Sequence, residues 1–204
     1  GQKLCESVMG TLEVAIKGVI NDPKNEFKPE EIAMIVNCAS KCEQELCESV
    51  MGSLIDVIND PKNEFKPEGI AMIANGASKY EQKFRDELTS LFRPIILNGE
   101  RSTNELFEAG VLFGLKDEPS FSEPYGNYFN RRSIDLHGFN PENVSILMDV
   151  IGSYCTSLFG KQIIYGRASH SHVDENRMKI ALINWLEENA FYYERCNHDG
   201  ALDV

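Results

Sequence analysis

Residues 21–30 read NDPKNEFKPE, and residues 59–68 repeat those ten letters without a change. The repetition extends outward on both sides. Residues 5–12 (CESVMGTL) return as 47–54 (CESVMGSL), and 31–46 (EIAMIVNCASKCEQEL) return as 69–84 (GIAMIANGASKYEQKF). Over the two aligned blocks 27 of 34 positions are identical. The offset drops from 42 to 38 residues between them, so the second copy lacks four residues, about one helical turn. Such a deletion leaves the apolar stripe able to pack.

Local chemistry sets the expected boundaries. Pro29 and Pro67 suit the first turn of a helix, and the glutamate after each favours the positive end of the helix dipole. Asn21-Asp22-Pro23 and Asn59-Asp60-Pro61 are stop-and-turn signals. Ile32, Ile35, Ala39, Cys42, Leu46, Val50, Leu54 and Val57 step by three or four, as do Ile70, Ile73, Ala77, Tyr80, Phe84, Leu88, Leu91 and Ile95. The pattern predicts three long helices, about 2–20, 29–58 and 67–93, joined up-down-up by two matching loops. Gln2-Lys3-Leu4-Cys5 matches Gln44-Glu45-Leu46-Cys47 in mid-helix. The chain therefore opens inside a repeat unit, and the expectation is a piece of a longer protein with further units upstream.

The net charge of −12 is spread along the 204 residues. Residues 1–93 carry 11 basic and 16 acidic side chains, and residues 94–204 carry 9 and 16. Neither half is a basic patch, which disfavours general binding to nucleic-acid phosphates. An acidic surface serves solubility, or presents itself to a basic protein partner. No apolar run reaches the roughly 20 residues that span a bilayer, and no signal-peptide pattern opens the chain. Cys5, Cys38, Cys42, Cys47, Cys155 and Cys196 fall in helical patterns, so mostly buried, reduced thiols in a cytoplasmic protein are expected. Cys38 and Cys42 lie one turn apart, but their repeat equivalents are Gly76 and Tyr80, so the thiols are not what was duplicated.

Past the repeat, residues 103–116 read as a helix and 117–124 as a Pro- and Ser-rich loop. Residues 125–137 read as a short helix capped by Gly138, and Asn140-Pro141-Glu142 opens another helix to about Phe159. Residues 161–168 are Gly-flanked and β-branched, a short strand or a turn. Residues 174–195 read as a helix with Ile180, Ile183, Trp185, Leu186, Phe191 and Tyr192 as packing residues. The expected fold is mainly α: tandem long antiparallel helices over 1–93, then a compact helical domain over 94–204.

Two segments carry candidate chemistry. Arg131-Arg132-Ser133-Ile134-Asp135-Leu136-His137-Gly138 resembles the Arg-x(4–6)-His signature of HEPN domains, a family of all-helical nucleases and defence proteins. The likeness includes the glycine after the histidine and the following helix with Leu147, Met148, Ile151 and Tyr154, and covers about residues 95–160. It implies a defence or toxin-type protein that cleaves or senses RNA without a metal. His137 would be general acid or base and Arg132 would stabilise charge on the phosphate, with two such sites meeting across a homodimer. Ser133 stands where that family usually carries Asn, Asp or His. Arg167 with His172 makes the same spacing, so the weight rests on the His-Gly pair and the helix after it.

The second segment is Ser169-His170-Ser171-His172-Val173-Asp174. His170, His172 and Asp174 are good zinc ligands, and His-x-His-x-Asp resembles part of the metal motif of metallo-β-lactamase-type hydrolases. Cys196 and His198 would complete a set. A continuous helix over 174–195 would separate them by about 33 Å at 1.5 Å per residue, too far for one ion within a chain. The alternative is a polar loop with Asp174 as helix N-cap. Asn143-Val144-Ser145 is a glycosylation sequon with no other sign of secretion. The competing function class is a non-enzymatic interaction protein whose acidic helices present a repeated face to a protein partner.

Overall fold

The structure, a computed structural model, describes residues 14, 18–19, 22, 27–40, 47–80, 82–98, 103–166, 172–196 and 200–204. The chain is mainly helical and divides into two compact units, residues 1–95 and 96–204. The expected helix over 2–20 lies almost wholly outside the described residues.

In the first unit the helices are α1 (Pro29–Ala39), α2 (Cys47–Ile58), α3 (Pro67–Ala77) and α4 (Gln82–Leu97), the last running two residues past the unit's end. Pro29 and Pro67 start their helices as expected, after an extended Lys28 and Lys66. The long helices over 29–58 and 67–93 are each broken. Ser40 and Ser78 stand at the breaks, and their hydroxyls donate to the carbonyls of Asn37 and Asn75 at 2.6 and 2.8 Å. Serine bonded back to its own helix competes with the next turn and bends the chain. After Ser78, Lys79 and Tyr80 N–H groups close tight bonds to Gly76 and Ala77 carbonyls at 3.1 and 3.0 Å. The chain then reverses. Arg85 of α4 donates to the Ser78 carbonyl at 3.1 Å, while Phe92 meets Phe65, just before α3, edge-on at 5.6 Å. So α3 and α4 form a helical hairpin rather than one helix.

Repeat-equivalent helices pack on each other. The Asn75 amide donates to Asn37 Oδ1 at 3.0 Å, joining equivalent positions of the two copies. Gly69 faces Ala33, Gly76 faces Val36, and Tyr80 Oη donates to the Val36 carbonyl at 3.1 Å. These contacts ascend together, so α1 and α3 run side by side in the same direction. Ile32, Ala33, Val36, Ile70, Ile73 and Ala74 are buried between and beneath them. Each isoleucine so buried contributes roughly 1.5–3 kcal/mol of hydrophobic stabilisation.

The second unit has α5 (Asn104–Leu112), α6 (Pro119–Phe129), β1 (Ser133–Asp135), a 3₁₀ turn (Pro141–Asn143), α7 (Val144–Tyr154), β2 (Gln162–Ile164), α8 (His172–Glu188), β3 (Glu194–Arg195) and β4 (Ala201–Asp203). The strands form one sheet in the order β1-β2-β4-β3, with β1 parallel to β2 and the other pairs antiparallel. This unit is thus helical with a small sheet; a strand or turn was expected over 161–168, where β2 lies, and the other three strands were not. Residues 133–135 form a strand, where a helix was expected over 125–137. Ile134 and Leu136 are buried while Ser133, Asp135 and His137 are exposed, and that period of two is the signature of a half-buried strand.

Other boundaries differ for local reasons. Helix α5 stops at Leu112 because Gly114, at φ +80°, reverses the backbone, with Leu115 N–H bonding the Gly110 carbonyl at 2.8 Å. From Pro119 onward the expected loop over 117–124 is the start of α6, where Phe121, Tyr125 and Phe129 step by four onto one buried face. Phe107 stands among them, with ring centroids 5.7, 5.1 and 4.6 Å away. The last helix begins at His172, so Asp174 lies inside it rather than capping it, and it ends at Glu188 rather than Arg195. Ala190 takes φ 56° there, and the Phe191 N–H reaches back to the Leu186 carbonyl at 2.9 Å. Phe191 stacks on Trp185 at 5.5 Å, supplying the apolar contact that accompanies such a helix end.

Candidate functional site

Because β1 and β2 are parallel, their carboxyl ends lie together, and the chain leaving each turns there. His137 follows β1 by two residues and Gly166 follows β2 by two. The two turns touch. Gly166, at φ +108°, leaves His137 Nε2 only 3.0 Å from where a Cβ would stand. No other residue type fits both that backbone and that neighbour.

His137 is held at its other ring nitrogen. Nδ1 lies against Asp135 Oδ1 in a short contact, and the same oxygen accepts the His137 backbone N–H at 2.9 Å. An Asp135 carboxylate that accepts from Nδ1–H leaves Nε2 as the basic nitrogen of a neutral ring. Both side chains are about half exposed, at 59% and 50%. The pair is therefore solvent-accessible and worth little as a stabilising ion pair, while its orientation is fixed.

Buried polar groups from α5 underpin the turn. Asn104 Nδ2 donates to the carbonyls of both Asp135 and His137 at 2.7 Å. Glu108, 2% exposed, accepts the Asn140 backbone N–H at 3.1 and 3.3 Å and the Asn143 amide at 2.6 Å. Burial pushes the Glu108 carboxyl up to about 7, against the lowering effect of those two asparagines.

The sequence-derived site residues fare unequally. In β1 the pleat gives Arg132 the parity of Ile134 and Leu136, and gives His137 that of Asp135. Arg132 is exposed, and among the described residues no hydrogen bond or ion pair joins it to His137. Arg131 instead lies over the Tyr128 ring at 5.3 Å. His170 and His198 lie outside the described residues. For His172 and Asp174 only the backbone, in the first turn of α8, is described. Among the described residues no group of three or more His, Cys, Asp or Glu side chains is placed to hold a metal ion. Cys196 takes a bond from Gln162 Nε2 at 3.2 Å. Cys38 is exposed rather than buried, whereas Cys155 is buried, and burial pushes its thiol up. Asp135, Gly166, Asn104 and Glu108 are the site residues that sequence reasoning missed.

No family model matches the chain, and no curated protein or solved structure does either. No helix among the described residues is long and apolar enough to cross a membrane.

Proposed function

We propose that the second unit carries a metal-independent acid–base site, centred on His137, that cleaves RNA as the HEPN resemblance implies. The observation that carries this reading is the Asp135–His137 pair, held at the touching carboxyl ends of two parallel strands. Open α/β sheets bind their ligands at that edge. In the reaction, His137 Nε2 takes the proton of the ribose 2′-hydroxyl, and the 2′-oxygen attacks the adjacent phosphorus. The bond to the 5′-oxygen breaks, a 2′,3′-cyclic phosphate forms, and the leaving oxygen takes up a proton from solvent or from the imidazolium. Asp135 fixes the tautomer and steadies the imidazolium. Arg132 of a second copy would supply the positive charge in the dimer that the resemblance implies.

The test is incubation of the full chain with single-stranded RNA in EDTA, compared with His137→Ala and Asp135→Asn. Cleavage that survives EDTA, is lost in the first variant and falls in the second is expected. No cleavage by the unaltered chain under any condition overturns the reading.

A second reading is favoured by one observation on the first unit. Lys28 and Lys66, and Glu30 and Glu68, are exposed at the adjacent starts of α1 and α3, yet unchanged between copies. Lys66 pairs with Glu30 across the copies at 3.6 Å, an exposed ion pair of little packing value, so the identity reflects either a recent duplication or a shared partner. A protein-binding face built from both copies would require it, and capture of a partner by residues 1–95 only while those four are intact would support that reading.

A further inference from the structure

We infer that Asn104 and Glu108, one turn apart on α5, are positioning residues for the turn that carries His137. The inference rests on the acid–base reading of that histidine. Strand β1 spends alternate backbone groups on β2: the Arg132 carbonyl accepts from Gln162 at 3.0 Å and the Leu136 N–H donates to Ile164 at 2.8 Å. The Asp135 carbonyl has the opposite parity and faces the open edge of the sheet. Asn104, 7% exposed, takes that carbonyl and the His137 carbonyl with one amide group. Both members of the Asp135–His137 pair are thereby fixed through their own backbone. Glu108 does the same for the return of the turn, through Asn140 and Asn143. Between them, Gly138 lies against the Glu105 carboxylate, and its φ of +87° is a backbone that favours glycine. The turn is thus clamped from Asp135 to Asn143 by one face of one helix.

The clamp has a built-in pH dependence. Glu108 meets the neutral amides of Asn140 and Asn143 from the turn, and Glu105, a like charge, on its own helix. Glu142 in the same 3₁₀ turn is exposed and paired with Arg177 at 3.2 Å. Release of the turn would hydrate Glu108 and return its carboxyl from about 7 towards 4.5. The closed turn therefore holds a proton more tightly than the open one, and opening becomes easier as pH rises. For those two values the opening constant grows about tenfold from pH 6 to pH 8.

The full chain tests this by amide hydrogen exchange and by the ring ¹⁵N signals of His137. Exchange at Asn140 and Asn143 is expressed relative to Leu202 in β4, which cancels the intrinsic pH effect. Asn104→Ala and Glu108→Ala are expected to raise that ratio at least tenfold and to shift the His137 ring signals. In the unaltered chain the ratio should rise about tenfold between pH 6 and pH 8. Glu108→Gln keeps an acceptor for both asparagines and cannot ionise, so it should hold the ratio low and flat with pH. The inference is overturned if Asn104→Ala leaves ring signals and ratio unchanged, if Leu202 exchange rises in step with the turn, or if Glu108→Gln keeps the pH dependence. Because neither readout needs cleavage, a chain that cuts no RNA defeats the nuclease reading, while exchange and ring signals judge the placement of the turn separately.

Discussion

Gly69 and Gly76 lie on the same helix and face the same neighbour, yet alanine should act on them with opposite sign. A glycine in a helix interior costs about 1 kcal/mol relative to alanine; Gly69 and Gly76 lie in the first and last turns of α3, so each substitution starts with a similar gain of up to about that size. The surroundings decide the rest. At Gly69 the added methyl would meet Phe65 at 3.7 Å and Ala33 at 3.9 Å, ordinary contact distances. Gly69→Ala is expected to stabilise the first unit by up to about 1 kcal/mol. At Gly76 the methyl would stand 3.0 Å from Val36 Cγ1, 3.0 Å from the Val36 carbonyl oxygen and 3.1 Å from its carbon. Two of those atoms are α1 backbone, which cannot rotate away, so the helices must separate where Asn75 donates to Asn37. Overpacking of that kind costs about 1–3 kcal/mol, which exceeds the propensity gain. The two variants should differ by roughly 2 kcal/mol, or about 8–16 °C in Tm for a unit of this size. Far-UV circular dichroism follows the melt. Trp185, the chain's single tryptophan, lies in the second unit and reports that unit separately. Equal stabilisation by both substitutions would refute the close packing of α1 on α3.

Ala190 adopts φ 56°, a left-handed backbone that costs a non-glycine residue roughly 1–2 kcal/mol; net of glycine's larger chain entropy, Ala190→Gly should raise the stability of the second unit by about 0.5–1 kcal/mol, read by Trp185 fluorescence in urea. Lys161, 8% exposed, donates to the Phe129 and Arg131 carbonyls at the end of α6. Lys161→Met leaves them without that donor and should cost about 1–3 kcal/mol in the same assay. Gly166→Ala should displace the His137 ring, lower RNA cleavage on the order of a hundredfold and, because φ +108° strains any L residue, cost about 1–3 kcal/mol in the urea assay. Glu108 has a folded value of about 7, above its ordinary 4.5, so its stabilising share is full below about 4.5 and is lost as pH rises through 7. Urea midpoints should therefore fall between pH 5.5 and pH 8 in the unaltered chain, and fall less in Glu108→Gln.

The helical character of the first unit was legible because apolar residues step by three and four between proline marks. Its breaks were written in the sequence too. Asn37-x-Ala-Ser40 and Asn75-x-Ala-Ser78 recur, and each serine turns back on the asparagine carbonyl. A periodicity count passes over that signal, since a hydroxyl bonding its own helix does not interrupt an apolar stripe. In the second unit the misreading was one of period. Ile134 and Leu136 are two apart, and extending a helix from Tyr125 through His137 ignored the alternation. His137 itself was found from residue type and its following glycine. Its partners were not, because Asn104, Glu108 and Gly166 are separated from it by about thirty residues on either side, and only the parallel pairing of β1 with β2 and the packing of α5 bring them together.

The repeat also constrains how copies can associate. Asn37 and Asn75 are equivalent positions, and they bond to each other. Around that one pair the faces differ: α1 presents Ala33 and Val36, whereas α3 presents Gly69 and Gly76, the equivalents of Glu31 and Cys38, so the contact is heterologous. A stacked array needs different faces on its two sides, each receiving the next unit in turn. The face carrying Val36 and Asn37 on α1 is already filled by α3. A further copy of the unit would have to join through other residues. Cys38 marks the asymmetry that duplication has since acquired. It is exposed on α1, whereas its equivalent, Gly76, is buried against Val36 with no space for a side chain. Equivalent positions thus sit in unlike surroundings, the mark of a heterologous contact rather than of a pair that closes on itself.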